Sequence, residues 1–382
     1  MAISSPSKRI KVLFVFGTRP EAIKLAPVIK EFQKFGDFFE VKICVTAQHR
    51  EMLDQVLRIF KITQDYDLNI MEENQTLFST SIRVLKKLQL LLKKLQPELM
   101  FVQGDTTTAF ISALSGFYLK IPIAHVEAGL RTYDKYAPFP EEINRRLITQ
   151  LADYHFAPTR LAYKTLIREG IPNSKILITG NTVIDALLLA LKLNPNYTPP
   201  ILKKLPPSRK IILVTAHRRE SFGVPFEHIC QALKTIVKEN SDVEIIYPVH
   251  PNPNIKKPAY KFLGNIERIH LIPPQDYLSF AKLMNACYLI LTDSGGIQEE
   301  APALKKPVLV LREKTERPEA IIAGTARLVG TTPERVVKET NLLLRSEEEY
   351  KKMVKYKNPF GDGKAGNRIV NYFLNLIDKR II

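Results

Sequence analysis

Glu98-Leu99-Met100-Phe101-Val102-Gln103-Gly104-Asp105-Thr106 opens the stretch that decides the fold of this 382-residue chain. His125-Val126-Glu127-Ala128-Gly129-Leu130-Arg131 and Pro140-Glu141-Glu142-Ile143-Asn144-Arg145-Arg146 complete it. The run Glu98 to Val102 is short, apolar and followed by Gly-Asp, the pattern of a buried strand ending in a polar turn. Thr106 to Lys120 reads as a helix, with threonines at its start and an apolar face through Phe110, Ile111, Leu114 and Phe117. Ile121 to Val126 is a second short apolar strand. Strand, helix and strand in this order make a right-handed βαβ unit, and both strands end in a carboxylate. Ligands of open parallel sheets bind outside the carboxyl ends of the strands. Asp105 and Glu127 are therefore expected in one crevice, with Glu141 brought in by the loop behind them. Each acid alone has a structural use: Asp105 as a cap of the helix that follows, Glu127 as a partner of Arg131. Three acids converging at strand ends are instead candidates for proton transfer.

Upstream, Ile10 to Phe16 is a strand closed by Gly17-Thr18-Arg19-Pro20-Glu21, with a helix expected from Glu21 to Phe35. Proline suits a helix start, and Arg19 and Lys24 make that start an anion site. Val41 to Val45 is the second strand, and helices follow over His49 to Phe60 and Thr76 to Leu95. Beyond the central stretch come a helix from Pro140 to Leu151, a strand at His155 to Pro158, a helix through Leu166, and a strand from Ile176 to Thr179.

Between Leu193 and Lys210 the periodicity fails and Pro195, Pro199, Pro200, Pro206 and Pro207 gather, which marks a domain boundary. A second series of strands then ends successively at His217-Arg218-Arg219-Glu220, His250, Asp293-Ser294-Gly295-Gly296 and Arg312. The expected fold class is α/β of GT-B type: two Rossmann-like doubly wound domains facing a central cleft. Residues 1–190 form the first, residues 191–365 the second, and residues 366–382 a final helix that packs back on the first. Gly361-Asp362-Gly363-Lys364-Ala365-Gly366 matches G-x-G-x-x-G, but no strand precedes it, so it is rejected as a dinucleotide site.

Where Asp293-Ser294-Gly295-Gly296 turns into Ile297-Gln298-Glu299-Glu300, glycines let the backbone approach an anion and free N–H groups bind it. Glu300 is placed to accept from ribose hydroxyls. Gln275 and Phe280 are candidates to hold and stack a base, and Arg317 has the planar fork that clamps a diphosphate. His217 ends a strand beside two arginines, which lower its tendency to hold a proton.

The formal net charge is +17, from 56 Lys and Arg against 39 Asp and Glu. The lysines are scattered rather than gathered into an arm, so an anionic small substrate is expected and nucleic acid is not. Cys44, Cys230 and Cys287 stand apart among apolar neighbours and read as buried reduced thiols. No His, Cys and carboxylate spacing suits a metal. Met1 to Lys11 lacks an apolar signal-peptide core and no apolar run spans a bilayer, so no membrane association and a cytoplasmic location are expected.

Taken together, Gly17-Thr18-Arg19-Pro20-Glu21-Ala22, Gln103-Gly104-Asp105-Thr106, His125 to Thr132, Pro140-Glu141-Glu142, His217-Arg218-Arg219-Glu220 and Asp293 to Glu300 resemble the non-hydrolysing UDP-N-acetylglucosamine 2-epimerases. The resemblance runs from Lys11 to the final helix, in the family's order. It implies UDP-GlcNAc and UDP-ManNAc as substrate and product, a homodimer, and no cofactor, neither NAD nor metal. By position it places acid–base and sugar-site roles on Asp105, Glu127, Glu141 and His217. Nucleotide contacts fall on Arg19, Lys24, Gln275, Phe280, Ser294, Gly295, Gly296, Glu300 and Arg317. A regulatory UDP-GlcNAc site falls near Gln48, His49 and His250. The alternatives are a GT-B glycosyltransferase with a UDP-sugar donor and a 2-epimerase of a related UDP-diacetamido uronic acid sugar.

Overall fold

A computed structural model describes residues 8–46, 50–72, 75–379 and 381. The chain forms two compact α/β units: the first ends at Leu193 and resumes at Phe360, and the second is Asn194–Pro359.

The first unit is built on a parallel sheet of seven strands: β1 (Ile10–Phe16), β2 (Phe39–Val45), β3 (Tyr66–Asp67), β4 (Leu99–Gln103), β5 (Ile123–Val126), β6 (Tyr154–Ala157) and β7 (Ile176–Ile178). Helices α1 (Arg19–Gln33), α2 (Arg50–Phe60), α3 (Leu77–Leu95), α4 (Thr107–Tyr118), α5 (Glu141–Leu151), α6 (Arg160–Arg168) and α7 (Thr182–Leu193) make the connections. Strands buried on both faces read as continuous apolar runs, and Val12 to Phe16 and Leu99 to Val102 are buried throughout. The strand order β3-β2-β1-β4-β5-β6-β7 reverses between β1 and β4. That reversal opens a crevice at the carboxyl ends of these two strands.

The second unit repeats the plan with six strands: β8 (Lys210–Thr215), β9 (Val243–Pro248), β10 (Ile269–Ile272), β11 (Leu289–Thr292), β12 (Val308–Val310) and β13 (Ala326–Leu328). Helices α8 (Val224–Glu239), α9 (Pro253–Leu263), α10 (Tyr277–Ala286), α11 (Gly295–Glu300), α12 (Pro318–Ile322), α13 (Pro333–Arg345) and α14 (Glu347–Lys355) accompany them. The order β10-β9-β8-β11-β12-β13 puts its switch point between β8 and β11. Strands β3, β10 and β13 were not expected from the sequence, and all three are sheet edges.

Helix α1 begins at Arg19, earlier than the Glu21 expected, because Pro20 belongs to its first turn. The last helix, α15 (Ala365–Asp378), lies in the first unit. Its Phe373 ring sits 5.9 Å from Phe32, 5.6 Å from Phe101 and 5.9 Å from Phe156. The glycines of Gly361 to Gly366 serve this return. Gly361 and Gly363 take positive φ in the turn, and the Gly366 N–H donates to the buried Asp185 carboxylate of α7 at 2.8 Å.

Candidate active site

The first half of the candidate site grows from the two turns at the β1/β4 switch point. An added Cβ at Gly17 would stand 2.1 Å from the Thr46 hydroxyl, so no side chain fits where the chain leaves β1. The buried Glu21 carboxylate accepts from the N–H groups of Gly17 (3.1 Å) and Thr18 (2.8 Å) and from the Thr106 hydroxyl (2.7 Å). One side chain thus ties the turn after β1 to the turn after β4. Burial holds its carboxyl above the usual range in spite of these donors.

Thr106, not Asp105, caps α4: its hydroxyl oxygen accepts the Ala109 N–H at 3.0 Å. The Asp105 carboxylate is therefore not spent on the helix. It pairs with the Arg145 guanidinium, with Nε at 3.1 Å, while Asn144 donates to the Asp105 carbonyl at 2.9 Å. Both partners come from α5.

Glu127 follows β5 directly, and strand register sets Gln103 opposite Val126. Its backbone has φ 68°, a left-handed conformation that costs a non-glycine residue about 1–2 kcal/mol. Its carboxylate accepts from Gln103 Nε2 at 2.7 Å and forms an ion pair with Lys24 of α1. The expected partner Arg131 is engaged elsewhere. Its buried guanidinium takes Glu169 through two bonds of 2.8 and 2.6 Å, together with the Thr149 hydroxyl and the Leu130 carbonyl.

Of the two neighbouring acids on α5, Glu142 is fully buried and accepts the N–H groups of Thr132 (3.0 Å) and Tyr133 (3.2 Å), holding the loop after Glu127. Glu141 lies in the first turn, four residues before Arg145 and hence on the same helix face. Beneath them, the buried His125 ring reaches the Gly104 carbonyl at 2.8 Å, and burial pushes its pKa down to about 3.

The second constellation occupies the β8/β11 switch point. Asp293 is fully buried, and its Oδ2 accepts the N–H groups of His217 (2.6 Å) and Arg218 (2.7 Å). The His217 ring stacks on His250, 5.4 Å between centroids and 16° between planes. Burial is the first cause that lowers the His217 pKa. Asp293 opposes it, and His250 and Arg218 add to it, so the arginine effect expected from sequence is secondary.

At the start of α11, an ideal Cβ at Gly295 would lie 3.7 Å from Arg218 Nη2 and 3.8 Å from Arg317 Cζ. Two guanidinium groups thus flank the Ser294-Gly295-Gly296 turn. Arg218 is held by Glu316 (2.9 Å) and Arg317 by Glu299. The Glu300 carboxylate lies 3.7 Å from the Cβ position of Gly296. Gln298 donates to the Ser294 carbonyl at 3.2 Å and accepts from Thr315 at 2.6 Å, which holds the 312–317 loop against the turn.

Lys24, Asp105, Glu127 and the helix bearing Glu141 meet at one end of the first sheet, with Arg19 at the first turn of α1. His217, His250, Ser294 to Gly296, Glu300 and Arg317 gather at the corresponding end of the second. Gln275 and Phe280 stand after β10 and on the first turn of α10, where Gln275 donates to the Pro273 carbonyl at 2.7 Å. Gln48 and His49 lie outside the described residues. Sequence reasoning missed Gln103, Arg145 and Asp293 as partners of Glu127, Asp105 and His217, and Glu21 as the tie between the two turns. Among the described residues no cluster of three His, Cys, Asp or Glu side chains is arranged to hold a metal ion, and no helix is long and apolar enough to cross a membrane.

Residues 31–374 match the family model described as UDP-N-acetylglucosamine 2-epimerase. The UDP-N-acetylglucosamine 2-epimerase of Salmonella typhimurium is 55% identical over 372 residues, covering 94% of this chain and 97% of its own. That of Escherichia coli K12 is 53% identical over 377 residues, covering 96% and 99%. The crystal structure of the Neisseria meningitidis UDP-GlcNAc 2-epimerase bound to UDP-GlcNAc superposes with a TM-score of 0.84 at 47% identity, covering 96% and 100%.

Proposed function

The chain belongs to the UDP-N-acetylglucosamine 2-epimerase family, and we propose that it interconverts UDP-N-acetylglucosamine and UDP-N-acetylmannosamine by inverting C2. The observation that carries the reading is the near-complete match to that family together with acids at the carboxyl ends of two adjacent strands.

The chemistry accounts for the acids. C2 of an N-acetylhexosamine bears a hydrogen with no carbonyl beside it on the ring, so its simple deprotonation is out of reach. In the proposed route a base takes the C2 proton while the C1–O bond breaks, and UDP leaves with that electron pair. The product is 2-acetamidoglucal beside UDP. A diphosphate oxygen then adds back to C1 while a proton reaches C2 from the opposite face. Both faces of C2 need a proton-transferring group, the roles given to Asp105, Glu127 and Glu141. In the free protein Glu127 is paired with Lys24 and Asp105 with Arg145.

Arg317 and the Ser294-Gly295-Gly296 turn would stabilise the leaving diphosphate, joined by His217 when its Nε2 carries a proton. Arg19, Lys24, Gln275, Phe280 and Glu300 complete the nucleotide contacts in this reading, and His250 belongs to a regulatory site with Gln48 and His49. The protein is proposed to act in the cytoplasm as a homodimer. Exposed Phe78, Ile82 and Leu90 on α3 and Phe117 on α4 supply an apolar face for a second copy.

Incubation with UDP-GlcNAc and no acceptor tests the reading by separating the products. Formation of UDP-ManNAc supports it, and free UDP with free sugar, or no reaction, opposes it. Asp105→Asn should lower kcat by about 100-fold or more.

A further inference from the structure

At the switch point of the second unit, the two oxygens of the Asp293 carboxylate are used differently. Oδ2 accepts the backbone N–H groups of His217 and Arg218. Oδ1 is buried, accepts no hydrogen bond among the described residues, and lies 3.6 Å from Nδ1 of the His217 ring. A buried carboxylate oxygen left without a donor is costly, and an imidazole N–H is a suitable one.

The frame around this pair is rigid. The Asp293 N–H donates to the Thr215 carbonyl at 3.0 Å, and the Thr215 and Thr292 hydroxyls meet at 2.6 Å. The Tyr247 hydroxyl donates to the Ala216 carbonyl at 2.6 Å, one residue before His217. On one face of the His217 ring lies the His250 ring, itself fixed by the Asn252 N–H donating to its Nδ1 at 3.2 Å.

From this geometry we propose that Asp293 is a positioning residue that acts through His217, setting its ring in the Nδ1–H tautomer and leaving the lone pair on Nε2. The role rests on the reading of His217 as a group of the active site. At 3.6 Å the contact is longer than a hydrogen bond. Catalytic hydrogen bonds commonly tighten only when substrate is bound. The carboxylate favours the proton on Nδ1 and stabilises the imidazolium formed if Nε2 takes a second one.

The test is the imidazole nitrogen spectrum of the full-length protein labelled with 15N-histidine, recorded at about pH 8, where an unperturbed ring is neutral. The signals of His217 are assigned by their loss in His217→Gln. The expected wild-type pattern is Nδ1–H. In Asp293→Asn the amide oxygen can keep the two backbone N–H groups while the amide nitrogen faces Nδ1 as a donor, so the ring should switch to Nε2–H. kcat should then fall about 100-fold or more, with KM changed far less.

An Nε2–H ring in the wild type overturns the proposal, and so does a folded Asp293→Asn protein with its tautomer unchanged. If Asp293→Asn does not fold, the wild-type spectrum alone decides. A protein with Nδ1–H but no epimerase activity contradicts the proposed reaction and leaves the positioning intact. An active protein with Nε2–H does the reverse.

Discussion

Glu127 concentrates the features of a built site in one residue: a left-handed backbone, a lysine partner and a glutamine donor. Strain of this kind persists only where the surroundings over-determine it. Glu127→Ala and Glu127→Gly both remove the carboxylate, but only glycine tolerates φ 68° without a Cβ penalty. The glycine variant should be more stable than the alanine variant by about 1 kcal/mol, read from denaturant midpoints, with both inactive. Equal stabilities would contradict the conformation. The candidate acids themselves were legible, because an apolar run followed by a carboxylate marks a strand end. Their partners were not. Arg145 reaches Asp105 across 40 residues of sequence, and Lys24 reaches Glu127 from another helix. Local spacing instead suggested Arg131, whose guanidinium is taken by Glu169.

Neighbouring strands hold a second pair of groups that sequence leaves silent. Strand register sets His125 of β5 opposite His155 of β6, and burial pushes their pKa values down to about 3 and about 4 from an ordinary 6.5. The unfolded chain binds protons at these sites near pH 6.5, and the folded chain does not until far lower pH. Their contribution to stability is therefore complete above about pH 6.5 and is lost progressively as the pH falls through 4 and then 3. His155→Leu should flatten the decline in denaturant midpoint between pH 7.5 and pH 5 relative to the wild type. An unchanged decline would show that His155 is not held neutral. At this scale the sequence revealed the central strands and most helices, since runs buried on both faces carry a strong apolar signal. It did not reveal β3, β10 and β13. Edge strands are short and pair on one side only, so they need less of the pattern that identifies a strand.

Two series of strands and helices were readable from one end of the chain to the other, and the proline-rich stretch after Leu193 falls where the first unit gives way to the second. The return of α15 is expected from the sequence, but its aromatic partners Phe32, Phe101 and Phe156, more than two hundred residues upstream, are not legible there. Phe373 is fully buried among them. Phe373→Ala should therefore destabilise the protein by about 3–5 kcal/mol, measured by denaturant unfolding. A cost below about 1 kcal/mol would mean that the last helix is not part of the first unit's core.

If C2 is inverted through loss and return of its proton, incubation with UDP-GlcNAc in D2O followed by proton NMR will register the exchange. With EDTA and no added cofactor, the C2 proton signal should disappear as UDP-ManNAc forms, and Asp105→Asn should suppress both changes. UDP-ManNAc that retains its original C2 proton would contradict it.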